Sequence, residues 1–251
     1  MADTKTPFAI PPNAVRVWRG WRGPALDLNA FLQRLGTVFI PATVEMQIKV
    51  GLDTYVPTTP GGLAGKPDTV PDETAILFWD SQQTYTDGFE TLAVRTYTLT
   101  HAAVYTPNSR ADFPTLFANQ LTPDQPCYLF NKPADWMKGV ITHLIGGPPA
   151  NVAPAQFYAN VAQQLTAIQS AAKLQGGIAC VGNGYVVSWL LDSTGSGQGA
   201  AAAAALAGVC GWSTVVNPAS TELLSGFWDK WPGMTVNSGD SFNMQFKRRW
   251  E

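Results

Sequence analysis

Charge is scarce in this chain. Asp, Glu, Lys and Arg make up 14% of its 251 residues and leave a formal net charge of −2, against a usual share of about a quarter. No basic stripe is present to track a phosphate backbone or lie on an anionic bilayer, so nucleic acid and membrane surfaces are excluded as partners and a neutral, apolar or aromatic small molecule is expected. Cysteine is nearly missing as well. Cys127, Cys180 and Cys210 stand in unrelated contexts without paired spacing, which argues against a disulfide framework and a metal site and makes a reducing, cytoplasmic interior the simplest home. Long hydrophobic runs are also lacking. The longest, residues 200–210, is about half of the ~20 residues a spanning helix needs, and residues 1–12 have no apolar core of an export signal.

Histidine is the scarcest of the residues that carry chemistry. His101 and His143 are the only two, so an imidazole general base or a haem ligand has to be one of them. No phosphate-binding loop, nucleophile elbow or His-Glu-x-x-His occurs, and no Cys-x-x-Cys-His attaches a haem. The run Gly195-Ser-Gly197-Gln-Gly199 approaches a dinucleotide fingerprint, but no acidic residue follows at the required distance. It reads as the start of an alanine-rich helix, with anion binding at that helix N-terminus as the alternative.

Aromatic residues, by contrast, are plentiful. Nine tryptophans are too many for the core alone, so some are expected to be exposed or to line a pocket. Trp18 and Trp21 alternate with arginines, and Trp228, Trp231 and Trp250 lie near the end.

Two stretches organise the rest. Glu73-Thr-Ala-Ile-Leu-Phe-Trp79-Asp80-Ser81 and Gly184-Tyr-Val-Val-Ser-Trp189-Leu-Leu-Asp192-Ser193 each run an apolar strand with one Trp into an Asp-Ser pair that caps the next helix. Each is preceded by a Gly-Pro, at Gly23 and Gly147, and followed by a turn at Pro107-Asn108 or Asn217-Pro218. The chain therefore reads as two copies of one α+β unit. Residues 1–13 are expected to be a loose arm, and 14–22 a strand bearing arginines on both faces. Asp27 or Asn29 caps a helix with Phe31, Leu32, Leu35, Val38 and Phe39 on one side, and Pro41 interrupts it. Residues 43–50 alternate like a strand, placing Glu45 on its polar side. Residues 55–72, rich in proline and glycine, are expected to form a long loop acting as a lid. Residues 91–100 are rich in β-branched threonine and leave helix and hairpin both open, with helix followed by strand preferred. After a connector at 107–138, residues 139–146 open the second copy. Residues 154–174 show the clearest helical stripe, residues 178–181 and 185–191 pair about a Gly-Asn-Gly turn, and 198–208 are helical on intrinsic preference. The aromatic extension 221–251 has no counterpart in the first half.

The order strand, helix, strand, strand, helix, strand, twice over, is the split arrangement of ferredoxin-like units. On the motif Phe78-Trp79-Asp80-Ser81-x-x-x-Tyr85-x-x-x-Phe89, residues 15–105 resemble the dimeric α/β-barrel superfamily, with an echo at 140–216. This resemblance implies an α+β fold of two repeats, 14–106 and 139–220, forming a single-chain barrel with antiparallel sheets and outer helices. Similar proteins include monooxygenases without cofactor, haem-binding aldoxime dehydratases, cyclases and isomerases of secondary metabolism, and proteins without known chemistry. Either no cofactor or haem is implied.

On that frame His143 aligns with Arg19, and His101 aligns with Trp212 at the start of a last strand. The expected catalytic set is His143, His101 and Arg95; Arg19, Trp21, Trp79, Tyr85 and Glu45 are expected to bind substrate. Each has a plainer reading beside it. The histidines are hydrogen-bonded structural groups, Asp80 and Asp192 are helix caps, Glu45 faces solvent, and Arg95 answers an acidic neighbour because an unpaired buried guanidinium is costly. Two functions stand side by side. One is an enzyme performing oxidation, dehydration or cyclisation on a small apolar or aromatic metabolite. The other is a non-catalytic binding or self-associating protein that presents its surplus aromatics as a surface.

Overall fold

The computed structural model describes residues 15–61, 65–136, 138–171, 173–216, 239 and 244–245. The loose arm at 1–13 and Trp228, Trp231 and Trp250 of the extension lie outside these residues. The chain divides into two compact units. Among the described residues, the first comprises 15–61, 71–113, 239 and 244–245, and the second comprises 65–70 and those of 114–216. Both are α+β, each built on one predominantly antiparallel sheet.

The first unit begins with β1 (Val15–Gly20), then α1 (Leu28–Arg34), α2 (Ile40–Gln47), β2 (Leu52–Thr58), β3 (Glu73–Trp79), α3 (Gln82–Gly88), α4 (Leu92–Thr100) and β4 (Arg110–Asp112). Its sheet runs β2-β3-β1-β4, with the short strand Met244–Gln245 added outside β2. Strand β3 is thus inserted between β1 and β2, as in a ferredoxin-like unit. Caps written in the sequence start the helices: Asp27 accepts the Ala30 N–H at 2.7 Å, Ser81 that of Thr84 at 2.9 Å and Thr91 that of Val94 at 3.3 Å. One sheet face, with Trp18, Tyr55, Ala75, Leu77 and Trp79, packs with Phe31, Leu35, Phe39, Val44 and Tyr97 of the helices into one core.

Three expectations fail in this unit. Residues 43–50 are not a strand, so Glu45 lies on α2. A single π-helical stretch, Leu35–Phe39, precedes α2 and lets the Ile40 N–H donate to Leu35 O, and Pro41 falls in the first turn of α2, where no N–H is needed. The helix therefore passes the proline, and the chain turns only at Gly51, whose φ of 98° is left-handed. Residues 55–58 belong to β2 and not to a loop. Of the two readings open for the threonine-rich stretch 91–100, the preferred helix is the one found, over Leu92–Thr100, and what fails is the strand after it. Thr98 and Thr100 donate their hydroxyls to Val94 O and Tyr97 O at 2.9 and 2.7 Å, bonds that only the helix offers. The strand expected next is displaced: His101–Ala103 is a 3₁₀ turn, Tyr105 makes one bridge to Arg22, and β4 begins at Arg110.

The second unit carries β5 (Thr115–Leu116), β6 (Cys127–Tyr128), β7 (Val140–Gly147), α5 (Pro154–Ala171), β8 (Gly176–Gly182), β9 (Tyr185–Asp192), α6 (Gln198–Ala207) and β10 (Trp212–Val216), with sheet order β10-β7-β9-β8-β6-β5. The four strands β7 to β10 repeat the order seen in the first unit. Stretch 107–138, expected to be a connector, supplies β4 to one sheet and β5 and β6 to the other. On α5, Phe157, Val161, Leu165 and Ile168 form the buried stripe that the spacing predicts. At the run Gly195–Gly199 a carboxylate of the chain itself takes the N–H donors: Asp192 Oδ2 accepts that of Gln198 at 3.0 Å, and Oδ1 accepts that of Thr194 at 3.1 Å. Those bonds outweigh its burial and hold the Asp192 carboxyl at about 2.

Candidate functional site

Alternation along a strand sends every second side chain to one face. On the helix-covered face of the first unit this places Arg16 and Trp18 of β1, Tyr55 of β2, and Leu77 and Trp79 of β3 along the floor of a cavity of about 780 Å³. Helices supply the opposite wall through Phe39, Thr43, Gln47, Tyr97 and His101, while Tyr85, Phe89 and Tyr105 complete the sides. The volume suits a small organic molecule, and the walls are mostly apolar, with many aromatic rings among them.

The polar groups of this interior are few and mutually arranged. At the edge of the floor, Glu73 is fully buried and accepts the Tyr105 hydroxyl on Oε2 at 3.1 Å. Burial pushes its carboxyl up to about 8, and the nearby donors Tyr105 and Trp18 only partly oppose this. The Trp18 indole leans toward the carboxyl without reaching hydrogen-bond geometry, so Trp18 Nε1 and Glu73 Oε1 both lack a partner among the described protein atoms. Space for this corner comes from a glycine. Gly20 is paired with Glu73 across the strands, and a Cβ there would lie 2.6 Å from Tyr105 Cε1 and 2.8 Å from Trp18 Nε1. Burial also raises the pKa of Tyr55 and Tyr105, with the Glu73 charge adding to it, and burial raises that of Tyr97, whose hydroxyl meets Thr43 Oγ1 at 2.8 Å.

His101 sits at the end of α4 among rings. Trp18, Phe39 and Tyr97 lie edge-on to it at centroid distances of 5.2, 4.9 and 4.9 Å. Its Nδ1 is 3.1 Å from Thr98 O; a carbonyl only accepts, so Nδ1 carries the proton and Nε2 keeps its lone pair. Desolvation lowers its pKa and outweighs the opposing effect of the Thr98 carbonyl, which holds the ring neutral at pH 7. Arg16 closes the other end. Its guanidinium stacks over Tyr85 at 4.0 Å from the ring centroid and donates to the Tyr85 hydroxyl and to Ala111 O, and desolvation lowers its pKa.

Of the residues expected from sequence, His101, Trp79 and Tyr85 line this cavity, and the other five do not. His143 belongs to the second unit. There it is buried, donates Nδ1–H to Ser188 O at 2.7 Å, stacks on Trp189 at 4.4 Å, and is lowered by burial to about 4. Arg19 points to the sheet face away from the helices, where it pairs with Asp112 at 2.6 Å and donates to Val17 O at 2.6 Å. Arg95 is exposed and pairs with Glu90 at 2.9 Å. Trp21 anchors its backbone N–H on Ser109 Oγ, and Glu45 is half-buried on α2. The lid expected at 55–72 is not over the cavity either. Among the described residues none of 59–72 lines it, and Thr69 instead donates to Gly184 O at 2.9 Å within the second unit.

Sequence reasoning missed Glu73, Tyr55, Tyr97 and Tyr105. One signal was available: Glu73 is the only charged residue in the otherwise uncharged strand Glu73–Trp79, two-residue steps from Ala75, Leu77 and Trp79. A haem does not fit the histidines present. His143 is stacked between strands, and His101 is packed about by four rings, Tyr105 included. Among the described residues no cluster of His, Cys, Asp or Glu could hold a metal ion, and no helix is long and apolar enough to cross a membrane.

No family model matches the chain, and no curated protein matches it in sequence. Among solved structures it is similar to a protein from Lactobacillus acidophilus NCFM described provisionally as a monooxygenase, at 6% identity and a TM-score of 0.35 over 81% of this chain and 91% of the other. It is also similar to an anthrone oxidase-like protein, at 10% identity and a TM-score of 0.37 over 84% and 94% of the two chains.

Proposed function

We propose that this chain is an enzyme that binds a small, mostly apolar or aromatic metabolite in the cavity of the first unit and moves a proton on it. The observation that carries the reading is a neutral imidazole, His101, in the cavity wall and a fully buried carboxyl, Glu73, behind that wall and linked to it by the Tyr105 hydroxyl, whose environments push their pKa values in opposite directions. Such divergence separates a base from an acid at neutral pH. His101 Nε2 takes a proton from an acidic C–H or O–H of the ligand. The electron pair left behind is stabilised by hydrogen bonding where charge develops, and Glu73, still protonated, returns a proton there directly or through Tyr105. Arg16 and Tyr85 orient the far end of the ligand. Proton transfer of this kind is the shared first step of cyclisation, dehydration and dioxygen-consuming oxidation. The common strand order of the two units supports an internal doubling, with the proton-transfer site kept in the first copy.

The test uses the purified chain in deuterium oxide with a panel of small aromatic carbon acids, followed by mass spectrometry. Deuterium uptake faster than in buffer is expected, reduced about a hundredfold in His101→Gln and in Glu73→Gln. Equal uptake with and without protein, or rates unchanged in both variants, would sink the proposal. The competing picture of an aromatic docking surface gains little from the described tryptophans, since Trp18, Trp79, Trp136 and Trp189 are buried and only Trp21 and Trp212 are partly exposed.

A further inference from the structure

Phe39, Thr43 and Gln47 come to the cavity at four-residue steps, along α2 and the π-helical stretch ahead of it. The hydrogens along this wall can be counted. The Thr43 hydroxyl gives its one proton to Phe39 O at 2.8 Å, so at its 2.8 Å contact with Tyr97 the Tyr97 hydroxyl is the donor. With that proton committed, the Tyr97 oxygen can only accept. The Gln47 side chain reaches it and lowers the Tyr97 pKa, as a donor to a phenol oxygen does, which assigns the amide N–H to Tyr97 and leaves Gln47 Oε1 over. Oε1 has no partner among the described residues. Polar atoms that are both unpartnered and sealed from water do occur in this unit, at Trp18 and Trp79 for example, but neither Gln47 Oε1 nor His101 Nε2 belongs to them. Gln47 is only 5% exposed, so the little of it that water reaches includes this oxygen, and the space it lines is the cavity.

We infer that Gln47 is a specificity-determining residue, whose amide carbonyl accepts a hydrogen bond from the end of the ligand opposite to His101. The inference rests on the proposed site and narrows its ligand to an aromatic molecule with a donor, a hydroxyl or an N–H, at each end. His101 Nε2 and Gln47 Oε1 are both acceptors, so a ligand ending in bare ether or carbonyl oxygens would set lone pair against lone pair. Spacing limits the ligand as well. Phe39 packs on the His101 ring at 4.9 Å, and Gln47 lies about 12 Å further along the helix at ~1.5 Å per residue. Two hydrogen bonds of about 2.8 Å each, with a two-ring aromatic body between them, cover that distance. A ligand without the second donor fits the same walls but leaves Oε1 unanswered, and a site built to hydrogen-bond a group rejects the analogue lacking it.

Calorimetric titration of the full chain with three naphthalenes tests this directly. The probes are 2,6-dihydroxynaphthalene, 2-naphthol, which lacks the second hydroxyl, and 6-methoxy-2-naphthol, which keeps the second oxygen but has no hydrogen to give. The diol is expected to bind at least tenfold more tightly than either of the others. Gln47→Leu, similar in size and a good helix former, should bring that preference down to about twofold or less. Gln47→Glu, which still offers an acceptor, should keep most of it; circular dichroism confirms that both variants fold, and the comparison in the wild-type chain needs no variant at all. Equal affinity for the diol and 2-naphthol, or a preference undiminished in Gln47→Leu, would overturn the inference. Should deuterium uptake that depends on His101 accompany such a result, the proposed site stands without this residue. Binding of none of the three compounds together with absent uptake would remove the site and the inference at once.

Discussion

Replacing Glu73 by Gln puts the buried carboxyl to a quantitative test. In the unfolded chain the group titrates near 4.5, and in the folded protein burial moves it to about 8. Between those values the native state keeps a proton that the unfolded state has lost, so stability falls as pH rises, by 1.36 kcal/mol for each pH unit. Across the whole window this amounts to about 5 kcal/mol, fully present as stability below pH 4.5 and lost once pH passes 8. A loss of that size is a large fraction of the 5–15 kcal/mol that holds a typical domain together, roughly speaking. Gln fills the same space, can still accept from Tyr105, and does not ionise. Urea unfolding of both proteins at closely spaced values from pH 4.5 to 9.5 measures the difference. The wild-type chain should lose several kcal/mol relative to Glu73→Gln over this range, and isotope-edited infrared spectra should show a protonated carboxyl band at pH 7 that fades near pH 8. Parallel pH profiles for the two proteins, or an ionised Glu73 at pH 7, would refute the account of the cavity as a desolvated acid site.

His143 predicts the opposite slope. Its pKa is lowered from 6.5 to about 4, so the native state resists a proton that the unfolded state accepts. The stability is present above pH 6.5 and should decline by about 3 kcal/mol as pH falls through 4, a decline that His143→Gln flattens in acid unfolding curves. Gly20→Ala should crowd Tyr105 and Trp18 and weaken binding of an aromatic probe at least tenfold by calorimetry, without touching any hydrogen-bonding group. Asp192→Ala removes the acceptor that starts α6 and should cost about 1–2 kcal/mol in urea unfolding. Leu165→Ala on the buried face of α5 should cost about 2–5 kcal/mol by the same assay.

Much of the fold is local and could be read from the residues themselves. Helix α5 is legible because Phe157, Val161, Leu165 and Ile168 recur at helical spacing, and β3, β7 and β9 because short apolar runs end in turn or capping residues. Asp27, Ser81 and Asp192 announce helix starts because a short polar side chain beside an N-terminal N–H has one good use. Where local signals conflicted, tertiary structure decided. Residues 43–50 alternate like a strand, yet a π-helical turn ahead of Pro41 carried the helix through and buried Val44 against Phe39 and Leu35. The site was only partly legible for the same reason. His101, Trp79 and Tyr85 announce themselves by residue type. The value of Glu73, however, comes from Gly20 on a strand more than fifty residues earlier and from Tyr105 beyond the next two helices. A carboxyl's proton affinity depends on how much water surrounds it and on which donors face it, and no property of the linear chain specifies either until the sheet pairs and the helices close over it.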